Sequence, residues 1–295
     1  MPSSPVGFTA PPPILTVDLE DWFHLLDCES IPGPEGWDRL ESRIAGNTDR
    51  LLEIFAARNL RATFFSLGWV AERHPGVLRK VATQGHEIAC HSHVHTLVHA
   101  QSPSAFREET RRAIEAISQC VAKPVTAYRA PGFSLTHDTL WAFDHLTELG
   151  ITTDCSVFPG RHAHGGTAGR FPDEPFRLVT RSGSQIREFP MSLACVGPLN
   201  FAFAGGGYFR LLPYWLINHW TRRHPATMTY FHPRDFDGDQ PRVSGLSMAR
   251  QFKAYVGLSS ATTKLHRFLE TFGGESLAEA TARIQWEQTP LIALG

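Results

Sequence analysis

Apolar positions along the chain fall into two alternating kinds of run. Short, β-branched or aromatic runs read as buried strands: Ile14-Leu15-Thr16-Val17, Ala62 to Leu67, Glu87 to Cys90, Ala127-Tyr128-Arg129 and Thr152 to Ser156. Between them lie stretches that read as helices. Residues 47–59 carry Leu51, Leu52, Ile54 and Phe55 on one helical face. Residues 74–84 are entered through Pro75 and closed by Gly85, 103–121 have Ser102 as a cap, and 138–149 are closed by Gly150. Strand and helix thus alternate from residue 14 to about 156, which predicts a parallel α/β sheet or barrel with site residues at the C-terminal strand ends. Farther on, 159–175 is a long Gly/Pro/His loop, 186–190 and 226–232 read as strands, and 247–282 reads as helical with a break at Gly273-Gly274.

Polar residues stand where these strands stop. His91-Ser92-His93-Val94-His95 follows the third strand. One helical turn would aim His91 and His95 the same way, and two converging imidazoles suit a divalent transition metal, zinc above all. Asp18-Leu19-Glu20-Asp21 ends the first strand. Side chains alternate along a strand, so Asp18 and Glu20 share a face and Glu20 is favoured as the third ligand; Asp21, where strand gives way to loop, is the alternative. Arg129, Asp154 and His232 occupy other strand ends. His93 is expected to face away from the metal. His86-Glu87 fails the HExxH pattern because position 90 is Cys, so Glu87 reads as structural.

Composition narrows the function classes. With 295 residues, 42% of them hydrophobic, the chain has ample material for a core. A formal net charge of −1 gives no reason to expect a nucleic-acid partner. The five Cys residues are scattered without a CxxC pair, against a disulfide framework or a thiolate zinc site. No GxSxG elbow, P-loop or GxGxxG element occurs. Residues 1–13 read as a flexible Pro/Ser-rich tail without the features of a secretory signal, and no apolar run is long enough to span a bilayer. A cytoplasmic location is the expectation.

In their order these motifs resemble the polysaccharide deacetylases of the NodB-homology family, carbohydrate esterase family 4. Asp18-Leu19-Glu20-Asp21 is similar to the first motif, although the usual pair of adjacent Asp residues is interrupted by Leu19. His91 to His95 fits HSxxH. Arg129-Ala130-Pro131-Gly132 looks like RxPY with Gly for Tyr, Asp154-Cys155-Ser156 is similar to the fourth motif, and Tyr230-Phe231-His232 resembles the closing one. Val17 to Phe23, Gly205-Gly206-Gly207-Tyr208-Phe209 and His232 to Asp237 look like a narrower branch found with exopolysaccharide and exosortase loci.

The resemblance implies a distorted (β/α) barrel of about seven parallel strands over residues 14–240, with a helical C-terminal extension over 241–295 packed on it. It implies removal of N-acetyl groups from a sugar in a polysaccharide or its lipid-linked precursor. One divalent metal, zinc or alternatively cobalt or another transition metal, would be held by His91, His95 and Glu20 or Asp21. Asp18 would act as general base with Arg129 holding it ionised, and the Gly132 N–H would help stabilise the oxyanion. His232 would protonate the departing amine, oriented by Asp154, with Asp235 a weaker candidate for that task. Trp22, Phe133, Arg161 and Tyr208 are the expected sugar contacts. Alternatives are an amidohydrolase or esterase of the same architecture acting on a small non-sugar substrate, and a carbohydrate-binding pseudoenzyme.

Overall fold

A computed structural model of the chain describes residues 11–26, 28, 30–197 and 199–295. Most of the tail expected over 1–13 lies outside the described residues. Five short strands follow the apolar runs: β1 (Thr16–Leu19), β2 (Thr63–Ser66), β3 (Glu87–Cys90), β4 (Ala127–Tyr128) and β5 (Thr153–Asp154). They pair in parallel in that order. The connections carry α1 (Ile44–Ala56), α2 (Gly68–Arg73), α3 (Pro75–Thr83), α4 (Pro103–Ser118) and α5 (Ala142–Glu148). The Ser102 hydroxyl accepts the Ala105 N–H as the cap of α4. The helix expected over 138–149 opens as a 3₁₀ turn, His137–Thr139, before α5 begins.

Beyond β5 the sheet continues through a hairpin, β6 (Phe176–Val179) and β7 (Gln185–Glu188), with β7 parallel to β5. A separate hairpin, β8 (Ala194–Val196) and β9 (Leu199–Phe201), leads to α6 (Gly206–Leu211) and α7 (Tyr214–Thr221). The strand expected over 226–232 is not a continuous ladder. It runs beside β1 through isolated parallel bridges, Ile14 to Met228 and Val17 to Phe231. Its other side meets the segment after β7 through one side chain, since Ser192 Oγ donates to Ala226 O (3.0 Å) and accepts from Met228 N (2.8 Å). With this segment, β1 to β5 and β7 make seven parallel staves, closed at the last seam by a hydroxyl instead of a backbone ladder. The architecture is a mostly parallel sheet with helices outside, as in a distorted (β/α) barrel.

The region expected to be helical divides into α8 (Met248–Tyr255), α9 (Leu258–Phe272) and α10 (Leu277–Arg283), with Gly273 at φ +64° ending α9. A strand that the pattern did not predict, β10 (Leu291–Ala293), then pairs in parallel with β6. α10 covers the N-terminal end of the staves: Thr63 Oγ1 accepts Leu277 N (2.8 Å), and Glu87 Oε2 accepts Ala278 N (2.9 Å). Glu87 therefore caps a helix at the end opposite the site. Leu15, Val17, Phe64, Leu78, Phe143 and their neighbours pack the main core.

Candidate active site

Four staves and the bridged segment deliver charged side chains to one end. Asp18 is the third residue of β1, and Leu19 beyond it points into the core. The chain then tightens, with Glu20 N–H bonding to Asp18 O (2.9 Å), which keeps Glu20 on the cavity side. Asp21 turns away. Its carboxylate takes Trp22 N, Ser42 Oγ, Arg43 N and Ile44 N and so caps the N-terminus of α1. Between the two candidate carboxylates, the geometry brings Glu20 to the histidines.

Glu20 Oε1 lies 2.9 Å from both His91 Nε2 and His95 Nε2. The ligand atoms of all three buried residues fall within 4.8 Å of one another. No helical turn aligns the two rings, contrary to the expectation from spacing. Residues 91–97 are irregular, with Ser92 and His95 at positive φ (67° and 62°). Ser92 Oγ accepts His95 N (3.1 Å), and Glu109 of α4 accepts the His93 and Val94 amides. Left-handed non-glycine residues persist only where their surroundings over-determine them, and such residues gather at functional sites. His93 points away, its Nε2 3.7 Å from Glu72.

The donor set suits a metal. His91 Nδ1 lies 2.8 Å from Arg129 O, so Nδ1 carries the proton and Nε2 presents a lone pair. An Nε2 lone pair facing a carboxylate oxygen needs a cation between them or a proton on the ring. His91, His95 and one carboxylate are a common zinc set with open positions for substrate.

Beside this corner, Arg129 Nη1 donates to Asp18 Oδ1 at 2.6 Å. Both residues are buried, and the guanidinium lies over Phe65 (4.1 Å) and near Phe133 (5.4 Å). Asp18 Oδ2 stands 3.9 Å from His232 Nε2. The other nitrogen, His232 Nδ1, lies 3.0 Å from Asp235 Oδ2, which also accepts the His232 amide (2.9 Å). Asp154 was expected to orient His232 and does not. Its carboxylate is taken by Ser156 N and Oγ (2.9 and 2.8 Å), and it faces Glu188 across the β5–β7 register. Asp235 holds the imidazole because it sits one 3₁₀ turn after it. Burial alone would lower the His232 imidazole, but Asp235, Glu20 and Asp18 outweigh it and raise it to about 9. Burial works against the Asp235 carboxylate too, yet His232, Arg210 and Arg234 bring it down to about 2. Arg210 Nε forms an ion pair with Asp235 Oδ1 at 3.1 Å.

Glu188 Oε2 finds no N–H or O–H among the described residues. Burial, then the neighbouring Asp154 charge, push its carboxyl well up, and burial also raises Asp154. A proton shared by the pair would supply the missing bond.

These groups open into a cavity of about 590 Å³. Gly132 lines it at φ +56°, where a Cβ would stand 2.7 Å from a methyl of Leu26, so the Tyr usual at this motif position would need a different local backbone. Phe133, Arg161 and Tyr208 line the cavity, whereas Trp22 does not: its Nε1 donates to Glu41 O and its ring packs on Phe23. His24, Tyr230, Arg210 and Arg234 also line it and were not anticipated. Among the described residues no helix is long and apolar enough to cross a membrane.

Comparison with known proteins agrees with this geometry. Residues 35–152 match the family described as polysaccharide deacetylase, and 155–282 match a domain of unknown function, DUF3473. A chitooligosaccharide deacetylase of Rhizobium leguminosarum bv. trifolii is 35% identical over 86 residues, 29% of this chain and 40% of that protein. A peptidoglycan-N-acetylglucosamine deacetylase of Bacillus cereus is 27% identical over 96 residues, 32% of this chain and 35% of that protein. The match thus spans well under half the length of these relatives. A crystal structure described as a polysaccharide deacetylase of Mycobacterium smegmatis superposes with a TM-score of 0.67 at 20% identity, covering 100% of this chain and 98% of that one. A 4-alpha-glucanotransferase of Thermococcus litoralis reaches 0.59 at 12% identity, covering 98% of this chain and 42% of that one, so the fold by itself leaves the chemistry open. Fold and motif order agree with the family match, which identifies a polysaccharide deacetylase domain of the NodB-homology type over residues 35–152.

Proposed function

We propose that the protein is a metal-dependent N-deacetylase acting on an N-acetylated sugar of an exopolysaccharide or its lipid-linked precursor, on the cytoplasmic side. The observation that carries the reading is the meeting of Asp18 and His232, 3.9 Å apart, beside the Glu20–His91–His95 cluster in one cavity. Hydrolysis of an acetamide needs a base for water, charge for the oxyanion and an acid for the leaving amine. Asp18 Oδ2 takes the water proton while Arg129 fixes Oδ1. Glu20, His91 and His95 would hold a divalent ion, zinc or cobalt, whose contribution when bound is Lewis acidity at the acetyl carbonyl. The Gly132 N–H supports the developing oxyanion. As the carbon–nitrogen bond breaks, His232 Nε2 gives a proton to the amine, with Asp235 keeping Nδ1–H in place. Acetate and the free amino sugar leave. Phe133, Tyr208 and Arg161 supply sugar contacts around the acetamide. Among the described cysteines none is paired, which fits a reducing compartment.

The test is acetate release from N-acetylglucosamine oligomers by chelator-stripped protein, with zinc or cobalt restored, alongside Asp18→Asn. Activity that returns with metal and is absent from the variant is expected. Tight metal binding without acetate release from any oligomer, but with turnover of small amides or esters, would replace this reading with the small-substrate one.

A further inference from the structure

Helix α8 is turned inside out. Its Arg250, Lys253 and Ala254, with Leu246 just before it, line the catalytic cavity. Met248 and Phe252, four residues apart on the opposite side, stand in solvent at 89% and 55% exposure. None of its eight residues is buried. A surface helix ordinarily turns its apolar stripe inward, and a two-turn helix with nothing buried is marginal in water. Attachment at its C-terminal end is what holds it. Arg210 donates to Lys253 O (3.0 Å) and Val256 O (2.7 Å), and the Tyr255 hydroxyl bonds to Pro241 O and Val243 N. α6 packs directly on α8, and the turn from α6 into α7 exposes Leu211 and, at 66%, Trp215.

The segment that carries this apolar face is basic. From Gln240 to Leu269 the chain has no carboxylate, but it carries Arg242, Arg250, Lys253 and Arg267, besides Lys264, whose ammonium is held by the Phe209, Arg210 and Leu212 carbonyls. An isologous contact with a second copy would bring those cations against their own images. Exposed Met, Phe and Trp side chains interleaved with Arg and Lys are the combination that settles at a lipid–water interface carrying anionic headgroups.

We propose that α8, with the neighbouring α6–α7 turn, docks this protein on an anionic lipid surface, so that the cavity opens toward glycan held at that surface. Met248 and Phe252 enter the headgroup layer, and Arg250 and Lys253 stand between the lipid phosphates and the cavity. Because Arg210 grips both α8 and Asp235, the docking element and the partner of His232 share one guanidinium. What the surface presents rests on the deacetylase reading; attachment does not, so the test reads attachment alone.

The full chain is floated with vesicles of phosphatidylglycerol and phosphatidylcholine at low salt, and with phosphatidylcholine alone. Wild type is expected to float with the anionic vesicles only. Met248→Asp/Phe252→Asp should lose at least ~10-fold in apparent affinity, and Trp215→Ser less, with unchanged circular dichroism. Wild type that stays at the bottom, or a double variant that floats as well as wild type, overturns the proposal. So does sedimentation of wild type as a dimer that the double variant breaks, with no vesicle binding, since a second copy would then cover the face.

Discussion

The two halves of the chain build the site in different ways. Up to β5, site residues hang from the ends of hydrogen-bonded parallel strands: Asp18 on β1, His91 after β3, Arg129 after β4. After β7, the stave that ends at His232 pairs with β1 through backbone hydrogen bonds broken at Thr16, whose N–H goes to the Thr229 hydroxyl; its other side rests on the Ser192 hydroxyl, and Asp235 stands on a single 3₁₀ turn. The first half is rigid through backbone pairing. The second adds side-chain ties to a broken backbone ladder, with Arg210, Asp235, Asp237 and Arg43 linking its segments. Damage in the first half should therefore remove chemistry outright, whereas damage in the second should misplace it by degrees.

The largest effect is expected from the first half. Glu20→Ala or His91→Ala should abolish stoichiometric zinc, read by elemental analysis, and lower kcat/KM on the order of 10³-fold, since a bound metal is worth several kcal/mol of charge stabilisation. Asp21→Asn should leave the zinc content intact and lower thermal stability, because Asp21 caps α1. A variant pair behaving the other way round would exchange the two carboxylates.

Next comes the His232 corner. His232→Ala should cost roughly 10²–10⁴-fold in kcat with zinc retained. Asp235→Asn should cost less than His232→Ala, and Asp154→Asn should leave the His232 ring position unchanged in a crystal structure. Equal losses from Asp154→Asn and Asp235→Asn would break the distinction between the carboxylate that touches the imidazole and the one that does not.

Reading the chain ahead of its fold succeeded where periodicity and backbone pairing agree, and it missed where side chains do the positioning. The strand ends of β1, β3, β4 and β5 were visible because short β-branched runs stop at charged residues. The convergence of His91 and His95 was visible from their spacing, but its cause was not. A helical turn was the simple explanation, while the molecule uses two positive-φ residues staked by Glu109. The resemblance implies Asp154 as the partner of His232, yet its carboxylate is held by Ser156 and faces Glu188 on the neighbouring stave. His232-Pro233-Arg234-Asp235 did contain a local signal, a carboxylate three residues after the cap with Pro at the first helical position. Glu188 was hidden, because nothing in a hairpin strand announces that its carboxyl will face another. The aromatic Trp22 looked like a sugar platform and serves as a structural ring.

The carboxyl pair beneath Arg129 gives a smaller, pH-dependent effect. Both Asp154 and Glu188 have folded-state values above their unfolded ones, so the pair's contribution is fully present below about pH 4 and fades as pH rises through the folded values. Glu188→Gln keeps the neutral form, still donating to Asp154 and accepting from Val157 N. It should flatten the loss of stability toward alkaline pH in denaturant melts, whereas Glu188→Ala should cost about 1–3 kcal/mol at every pH. Parallel pH curves for wild type and Glu188→Gln would mean that no proton is shared.

The smallest effect tests the tie between the halves. Asp237, just past the 3₁₀ turn that carries Asp235, accepts from Arg43 Nε (2.5 Å) and Nη2 (3.0 Å) and from Asn47 Nδ2 (3.0 Å), all on or beside α1. Burial would raise its carboxyl, but Arg43 and Asn47 bring it down to about 2. A depressed carboxylate stabilises the fold above its unfolded value near 4 and loses that contribution as pH falls through about 2. Asp237→Asn should therefore lower stability by roughly 1–2 kcal/mol at pH 7 and by much less near pH 2. If side-chain ties place the second half, the same variant should also lower kcat a few-fold without changing zinc content, because His232 would lose its fixed distance from Asp18. Loss of stability with kcat untouched would mean that the bridges to β1 suffice to hold His232, and that the second half is as firmly built as the first.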